Sequence, residues 1–149
     1  VIIKVWPPYP EEFSDLDYSL RDGGWLDVYQ AGAGTERFTA IENKMIVGFS
    51  LLLKETDNRA EFRIALHPDK LGHGIGRSVV LLTLAHGFAD PGTLVIRLIV
   101  RKNNSRAKRL YESLSFRTTG ECTDVVQGKT MAFYSMEIDR NTFTRVNMK

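Results

Sequence analysis

A mixed α/β fold, with antiparallel parts and one parallel crossover, is what this sequence predicts. Three observations carry that expectation. Residues 37–67 divide into three consecutive strand-like segments joined by short polar turns. From Pro68 onward the pattern becomes a glycine loop, a helix, an apolar strand and a second helix. Two further strand-like segments close the chain around Gln127-Gly128-Lys129. The 149 residues are 43% apolar and 26% charged, an ordinary globular mixture for a single domain over 1–149. Twenty Lys and Arg against 18 Asp and Glu give a formal charge of +2, which calls for no nucleic-acid partner. Cys122 stands alone, so an internal disulfide framework is excluded and a reducing compartment fits. No segment reaches the roughly 18 apolar residues of a bilayer span, and Val1 to Trp6 is too short for a signal h-region. A soluble, cytoplasmic protein without a membrane partner is therefore expected.

In chain order, Val1 to Trp6 reads as a short strand, stopped by Pro7, Pro8 and Pro10. Glu11 to Leu20 reads as a helix, with an acidic first turn, Phe13, Leu16 and Leu20 at helical spacing, and Gly23-Gly24 as its stop. Trp25 to Tyr29 fits either period, and Gly32-Ala33-Gly34 is a loop. Arg37 to Glu42 and Met45 to Lys54 are strands about the turn Asn43-Lys44, and Ala60 to His67 is a third. Ile75 to Phe88 is helical, with Ile75, Val79, Leu82 and Ala85 or His86 expected on one face. Leu94 to Val100 is almost continuously apolar, as a strand buried on both faces should be. Asn104 or Ser105 caps a helix running to Leu114, with Ala107, Leu110, Tyr111 and Leu114 as its stripe. Arg117 to Val126 and Thr130 to Ile138 form the closing hairpin, and the polar tail from Asn141 is expected to be loose. The Ala60–His67 strand, the glycine-loop helix and the Leu94–Val100 strand could form one parallel βαβ crossover.

Two segments carry chemistry. In His67-Pro68-Asp69-Lys70-Leu71-Gly72-His73-Gly74-Ile75-Gly76-Arg77, a strand feeds a loop with alternate glycines that opens a helix. Glycine leaves backbone N–H groups unobstructed, and a helix N-terminus adds unpaired N–H groups and its dipole. Together they suit a phosphate or pyrophosphate. The loop itself contains no Gly-Lys-Ser/Thr, and it follows a meander rather than opening the first βαβ unit. Both facts argue against the commoner nucleotide motifs. About thirty residues later, Asn103-Asn104-Ser105-Arg106-Ala107-Lys108-Arg109-Leu110-Tyr111-Glu112-Ser113-Leu114-Ser115-Phe116 places an amide at a helix start and a tyrosine two turns in.

In order, spacing and strand context, the two segments resemble the GCN5-related N-acetyltransferase family. Leu71-Gly72-His73-Gly74-Ile75-Gly76 is similar to the family's Arg/Gln-x-x-Gly-x-Gly/Ala loop. Asn104, Ala107, Leu110, Tyr111, Glu112, Leu114, Ser115 and Phe116 follow its Asn-x-x-Ala-x-x-Leu-Tyr-Glu-x-Leu-Gly-Phe pattern. The resemblance covers roughly residues 36–138, and Glu61 to Phe116 looks closest to the branch acting on ribosomal proteins and polyamines. Leu71 replaces the family's Arg or Gln, and Ser115 its Gly. The resemblance implies a mostly antiparallel sheet of about seven strands, a splayed parallel central pair, and helices on both faces.

It also implies acetyl-CoA as co-substrate and no metal. The acyl-CoA core would cover about 60–116, with an acceptor side over about 1–35. Backbone groups at Ala65, Leu66 and His67 would pair with the pantetheine arm. N–H groups from Gly72 through Arg77 would hold the pyrophosphate. Asn104 would contact the pantetheine, and Tyr111 would lie near the sulfur as proton donor to the leaving thiolate. The N–H of Leu66 is the candidate oxyanion donor. Glu61, beside the cleft, is the first candidate base, and His67 the second. Trp25, Asp27, Tyr29 and Glu36 are the acceptor-side candidates, their carboxylates favouring a cationic amine. Arg101, Lys102, Arg106, Lys108 and Arg109 form a basic patch suited to the CoA phosphates or to solvent. His67, Asp69 and His73 match no zinc signature. The acceptor is a small-molecule amine or a protein N-terminal amine, and a homodimer is compatible with the family. A CoA-binding module without turnover is the alternative reading.

Overall fold

The computed structural model describes residues 2–5, 34–55, 58–66, 74–126 and 128–147. Six strands of seven to eleven residues make the body of one sheet: β2 (Thr35–Glu42), β3 (Met45–Lys54), β4 (Arg59–Leu66), β5 (Val95–Arg101), β6 (Arg117–Val126) and β7 (Lys129–Asp139). The four-residue β1 (Ile2–Val5) adds at one edge, and the order is β1-β2-β3-β4-β5-β7-β6. The described helices are α1 (Ile75–Phe88), α2 (Ser105–Ser113) and α3 (Arg140–Asn147). Every neighbouring pair of strands is antiparallel except β4 and β5. The helix expected over Glu11–Leu20 lies outside the described residues.

The β2–β3 turn forms because Asn43 and Lys44 both take positive φ, 52° and 65°, the twist a two-residue hairpin requires. Phe38 and Ala40 on β2, Ser50 and Leu52 on β3, and Phe62 on β4 share the sheet face that receives α1. Buried side chains of all three described helices, Val80, Leu84 and Phe88, then Tyr111, then Phe143, enter one core with Ile96, Leu98, Met136 and Ile138 of the sheet.

Two expectations need correction. The buried stripe of α1 is Ile75, Val79, Val80, Thr83, Leu84, Gly87 and Phe88, and Leu82 is 38% exposed, with Ala85 and His86 also outward. The stripe follows the i+4 ridge through Thr83 and Gly87, which an apolar count misses. Thr83 is tolerated there because its hydroxyl bonds the Val79 carbonyl (2.7 Å) and Ser50 Oγ (2.8 Å). The tail is likewise not loose: α3 occupies it. Asp139 Oδ1 accepts from the Thr142 N–H at 2.7 Å, an N-cap, and this bond holds the Asp139 carboxyl below its ordinary range. Phe143 then buries against Phe88, ring centroids 5.2 Å apart.

α2 ends in a Schellman motif. The Phe116 N–H bonds the Tyr111 carbonyl, the Ser115 N–H bonds the Glu112 carbonyl, and Ser115 sits at φ 74°. An L-residue pays about 1–2 kcal/mol for that conformation, and glycine pays part of it back in chain entropy. Ser115→Gly is therefore expected to stabilise the protein by about 0.5–1 kcal/mol, a rise in Tm of about 2–3 °C. Calorimetric melting checks it, and an unchanged or lower Tm would show that the Ser115 side chain compensates.

Candidate acyl-CoA site

β4 and β5 pair in parallel at only three positions, Arg59↔Val95, Ala60↔Ile96 and Glu61↔Arg97. Both strands continue, to Leu66 and to Arg101, but the ladder does not. The strands diverge because each is held by its outer neighbour: β4 pairs with β3 as far as Leu66, and β5 pairs with β7 as far as Arg101. A sheet interior thus acquires an edge, with backbone groups facing a gap.

The gap is a cavity of about 640 Å³, a size suited to an organic cofactor. Phe62, Ile64 and Leu66 of β4 and Leu98 and Val100 of β5 line it from the helical face. Arg63, Ile99, Arg101 and Phe133 reach it from the opposite face, so the cavity runs through the fork rather than lying on one side. Gly74 caps α1 with φ 76° and ψ 0°, and the first helical bond is Ser78 N–H to its carbonyl. The N–H groups of Ile75, Gly76 and Arg77 are consequently without intrahelical acceptors. Gly74 and Gly76 line the cavity, whereas the Ile75 side chain is buried in the core.

Asn104 caps α2, its Oδ1 accepting from the Ala107 N–H at 3.2 Å. Its amide nitrogen is not used by the cap, and the residue lines the cavity. Tyr111, two helical turns further on, also lines it, 7% exposed and edge-on to Phe116 at 5.6 Å. Arg63, Arg77, Arg101 and Arg106 line the space, and Asp124 is the one acidic residue among the described residues that line it. Arg63 is paired with Glu61 at 3.2 Å. Among the described residues no carboxylate lies within ion-pair distance of Arg77, Arg101 or Arg106, and Arg77 reaches only Ser113 Oγ at 3.3 Å. Such an excess of positive charge raises the local concentration of an anion.

The rest of the basic patch is differently engaged. Lys102 pairs with Glu121 at 2.5 Å and Lys108 with Glu112 at 3.6 Å, and both ammonium groups lie about the Tyr134 ring. Arg109 is exposed on α2 and does not line the cavity.

Glu61 is buried on the last parallel rung, outside the cavity lining. Arg63 Nη2 lies 3.2 Å and Arg97 Nη2 3.8 Å from its carboxylate. Arg97 also donates twice to Glu55, at 2.7 and 2.6 Å. Those hydrogen bonds hold the Glu55 carboxyl below its ordinary range and raise the Arg97 guanidinium above its own. The fork is therefore tied at its vertex by an ion-pair chain, Glu55–Arg97–Glu61–Arg63. Glu36 lies elsewhere, at the C-terminal end of α1, 3.2 Å from His86 Nε2. His67, Leu71, Gly72 and His73, like Asp69, Trp25, Asp27 and Tyr29, lie outside the described residues.

Sequence reading passed over Arg63, Asp124 and Phe133 as cavity residues. Arg63 left a faint signal, being polar two positions after Glu61 on one strand face. Asp124 and Phe133 left none, since they reach the cavity only because β7 inserts between β5 and β6.

Residues 3–116 match the model of the acetyltransferase (GNAT) family. The chain belongs to that family. Within the family, 69 residues are 32% identical to spermidine N(1)-acetyltransferase of Escherichia coli strain K12, over 46% of this chain and 37% of the relative. Seventy-six residues are 36% identical to [ribosomal protein bS18]-alanine N-acetyltransferase of Haemophilus influenzae, over 51% of each. The chain thus aligns with only about a third to a half of the length of these relatives. A Bacillus subtilis acetyltransferase solved in complex with CoA shares the fold, with a TM-score of 0.75, 19% identity, and 92% of this chain and 97% of that one covered.

Proposed function

We propose that this chain transfers an acetyl group from acetyl-CoA to a primary amine by direct attack in a ternary complex. One observation carries the reading: the open β4–β5 fork, an α1 N-terminus with glycines at Gly74 and Gly76, and three arginines without a carboxylate partner among the described residues all meet at a single cavity. A pyrophosphate matches the N–H groups of Ile75, Gly76 and Arg77, and the further negative charge of CoA matches Arg101 and Arg106. The pantetheine arm, carrying two amides, suits the unpaired edge of β4 over residues 62–66 as an added strand does. The chain would act as a single domain, with the CoA core over about 60–116.

The chemistry follows from these placements. The acceptor ammonium first loses a proton to solvent, since Glu61 is engaged by Arg63 and Arg97 outside the cavity lining. The amine lone pair then forms the C–N bond as the carbonyl π pair moves onto oxygen, where the Leu66 N–H stabilises it. Collapse breaks the C–S bond. The thiolate takes the Tyr111 phenolic proton, and Tyr111 recovers one from the former amine nitrogen through water. The products are an amide, free CoA and one released proton.

The acceptors named for the relatives, spermidine at N(1) and an alanine of ribosomal protein bS18, are both amines. Calorimetric titration with acetyl-CoA and with CoA is the test. Micromolar binding of both is expected, followed by thiol release when spermidine or an alanine-initiated peptide is supplied. No heat with either nucleotide would overturn the proposal.

A further inference from the structure

We infer that Gly48, on a strand that does not line the cavity, is a positioning residue for acyl transfer: by lacking a side chain it lets the Ala65–Leu66 peptide turn its N–H into the fork. The inference rests on the acetyltransferase reading above and assigns what holds the oxyanion donor in place.

Gly48 lies opposite Leu66, and Phe49 opposite Ala65, in the β3–β4 ladder. A Cβ built on Gly48 would fall 2.4 Å from the Ala65 carbonyl oxygen, 2.8 Å from Leu66 Cδ2 and 3.0 Å from Leu66 Cα. These distances are far inside the 3.5–4.0 Å of ordinary contact. The Ala65 oxygen therefore points to the β3 side and leans over Gly48, into the space a side chain would fill. A trans peptide is planar, with C=O and N–H on opposite sides. The Leu66 N–H consequently points away from β3, across the edge where the β4–β5 ladder has already ended at Glu61↔Arg97. The Leu66 side chain fixes the same peptide from its other end. Its Cδ1 lies 3.2 Å from where a Cβ on Gly76 would stand, so the leucine fits between two glycines, one on β3 and one in the first turn of α1. The last residue of β4 is thereby clamped between the sheet and the helix that opens the anion cradle. Any side chain at position 48 must push the carbonyl back, and the N–H turns with it.

The test compares Gly48→Ala with the wild-type protein in kcat, in KM for acetyl-CoA, and in CoA affinity. Loss of an oriented oxyanion donor lowers kcat by roughly a hundredfold. CoA lacks the thioester carbonyl on which the oxyanion develops, so its Kd should stay within about threefold. A change that merely loosens the fold would weaken CoA binding as well. Should Gly48→Ala fail to fold, the wild-type protein labelled with ¹⁵N-leucine decides. The Leu66 amide proton should move downfield with a ketone analogue of acetyl-CoA, in which methylene replaces sulfur, and not with CoA. Wild-type turnover combined with a Gly48→Ala kcat within threefold of it, or a Leu66 amide indifferent to the ketone, overturns the assignment of Gly48 while leaving the enzyme reading intact. Absence of any CoA binding by the wild-type protein overturns the enzyme reading first.

Discussion

Tyr111→Phe is expected to lower kcat for acetyl transfer by about a hundredfold while leaving acetyl-CoA affinity within about twofold. The ring is held by packing: Tyr111 is 7% exposed, belongs to the main core and meets Phe116 edge-on at 5.6 Å. Its backbone carbonyl also accepts the terminal Schellman bond of α2. Phenylalanine keeps all of this and removes only the hydroxyl. General-acid help to a leaving group contributes typically 10²–10⁴-fold, and a thiolate of parent pKa about 8.5 needs less help than an alkoxide, so the low end applies. Steady-state kinetics with the amine saturating, beside calorimetry for acetyl-CoA, separates the two effects. A kcat within threefold of wild type would reduce Tyr111 to a packing residue. A parallel fall in affinity and Tm would mean that the hydroxyl mainly supports the cavity wall.

The second large effect is on binding. Gly76→Val should weaken acetyl-CoA and CoA alike by thirtyfold or more, with little change in Tm. A Cβ there would stand 3.2 Å from Leu66 Cδ1 and 3.6 Å from Leu110 Cδ2, both ends of flexible side chains lining the cavity. The fold can accommodate the branch, but the branch covers the N–H groups that the pyrophosphate would use. Gly74→Val is the informative companion. Among the described residues nothing lies within 4 Å of a Cβ at position 74, so no clash with them arises there. Its cost comes from the backbone, since φ 76° is a left-handed conformation that a β-branched residue resists. Gly74→Val should therefore lose stability as well as affinity, whereas Gly76→Val loses affinity. Equal affinities for wild type and Gly76→Val would place the nucleotide away from the α1 N-terminus.

Local signals read well from sequence wherever one residue type satisfies one local need. Asn43-Lys44 marked a turn that indeed requires positive φ. Asn104 marked the start of α2, where its side chain takes up an orphan N–H. The apolar run now in β5 announced an interior strand, and β5 does lie between β4 and β7; burial on both faces did not follow, since only Ile96, Leu98 and Val100 on one face are buried and Leu94 is exposed. The limits of α1 were also legible, since the segment read as helical from Ile75 to Phe88 after the glycine loop is the helix that forms.

Its buried face was not legible, because Thr83 and Gly87 look indifferent until their partners are known. Thr83 pairs with Ser50, 33 residues away, and Gly87 admits the Ile96 and Leu52 side chains, which a Cβ would meet at 2.9 and 3.1 Å. The tail misled for the same reason: Phe143 is one aromatic among polar residues, and only Phe88 makes it an anchor.

The chain's covalent order thus dictated the elements, their order, the glycine-rich entry to α1, and the capping amide and tyrosine of α2. Each of these depends on the torsional or hydrogen-bonding preference of residues a few positions apart. The fork itself came from pairing at long range. β4 is held to β3 and β5 to β7, so the two part after Glu61 and Arg97 and leave an edge inside a sheet. The same pairing carries Asp124 and Phe133 to the cavity, gathers Arg77, Arg101 and Arg106 around it with no carboxylate of the described residues within ion-pair distance, and sets Gly48 beneath the Ala65 carbonyl. No spacing along the chain encodes those meetings, because they are distances between strands, settled only when the whole sheet has formed.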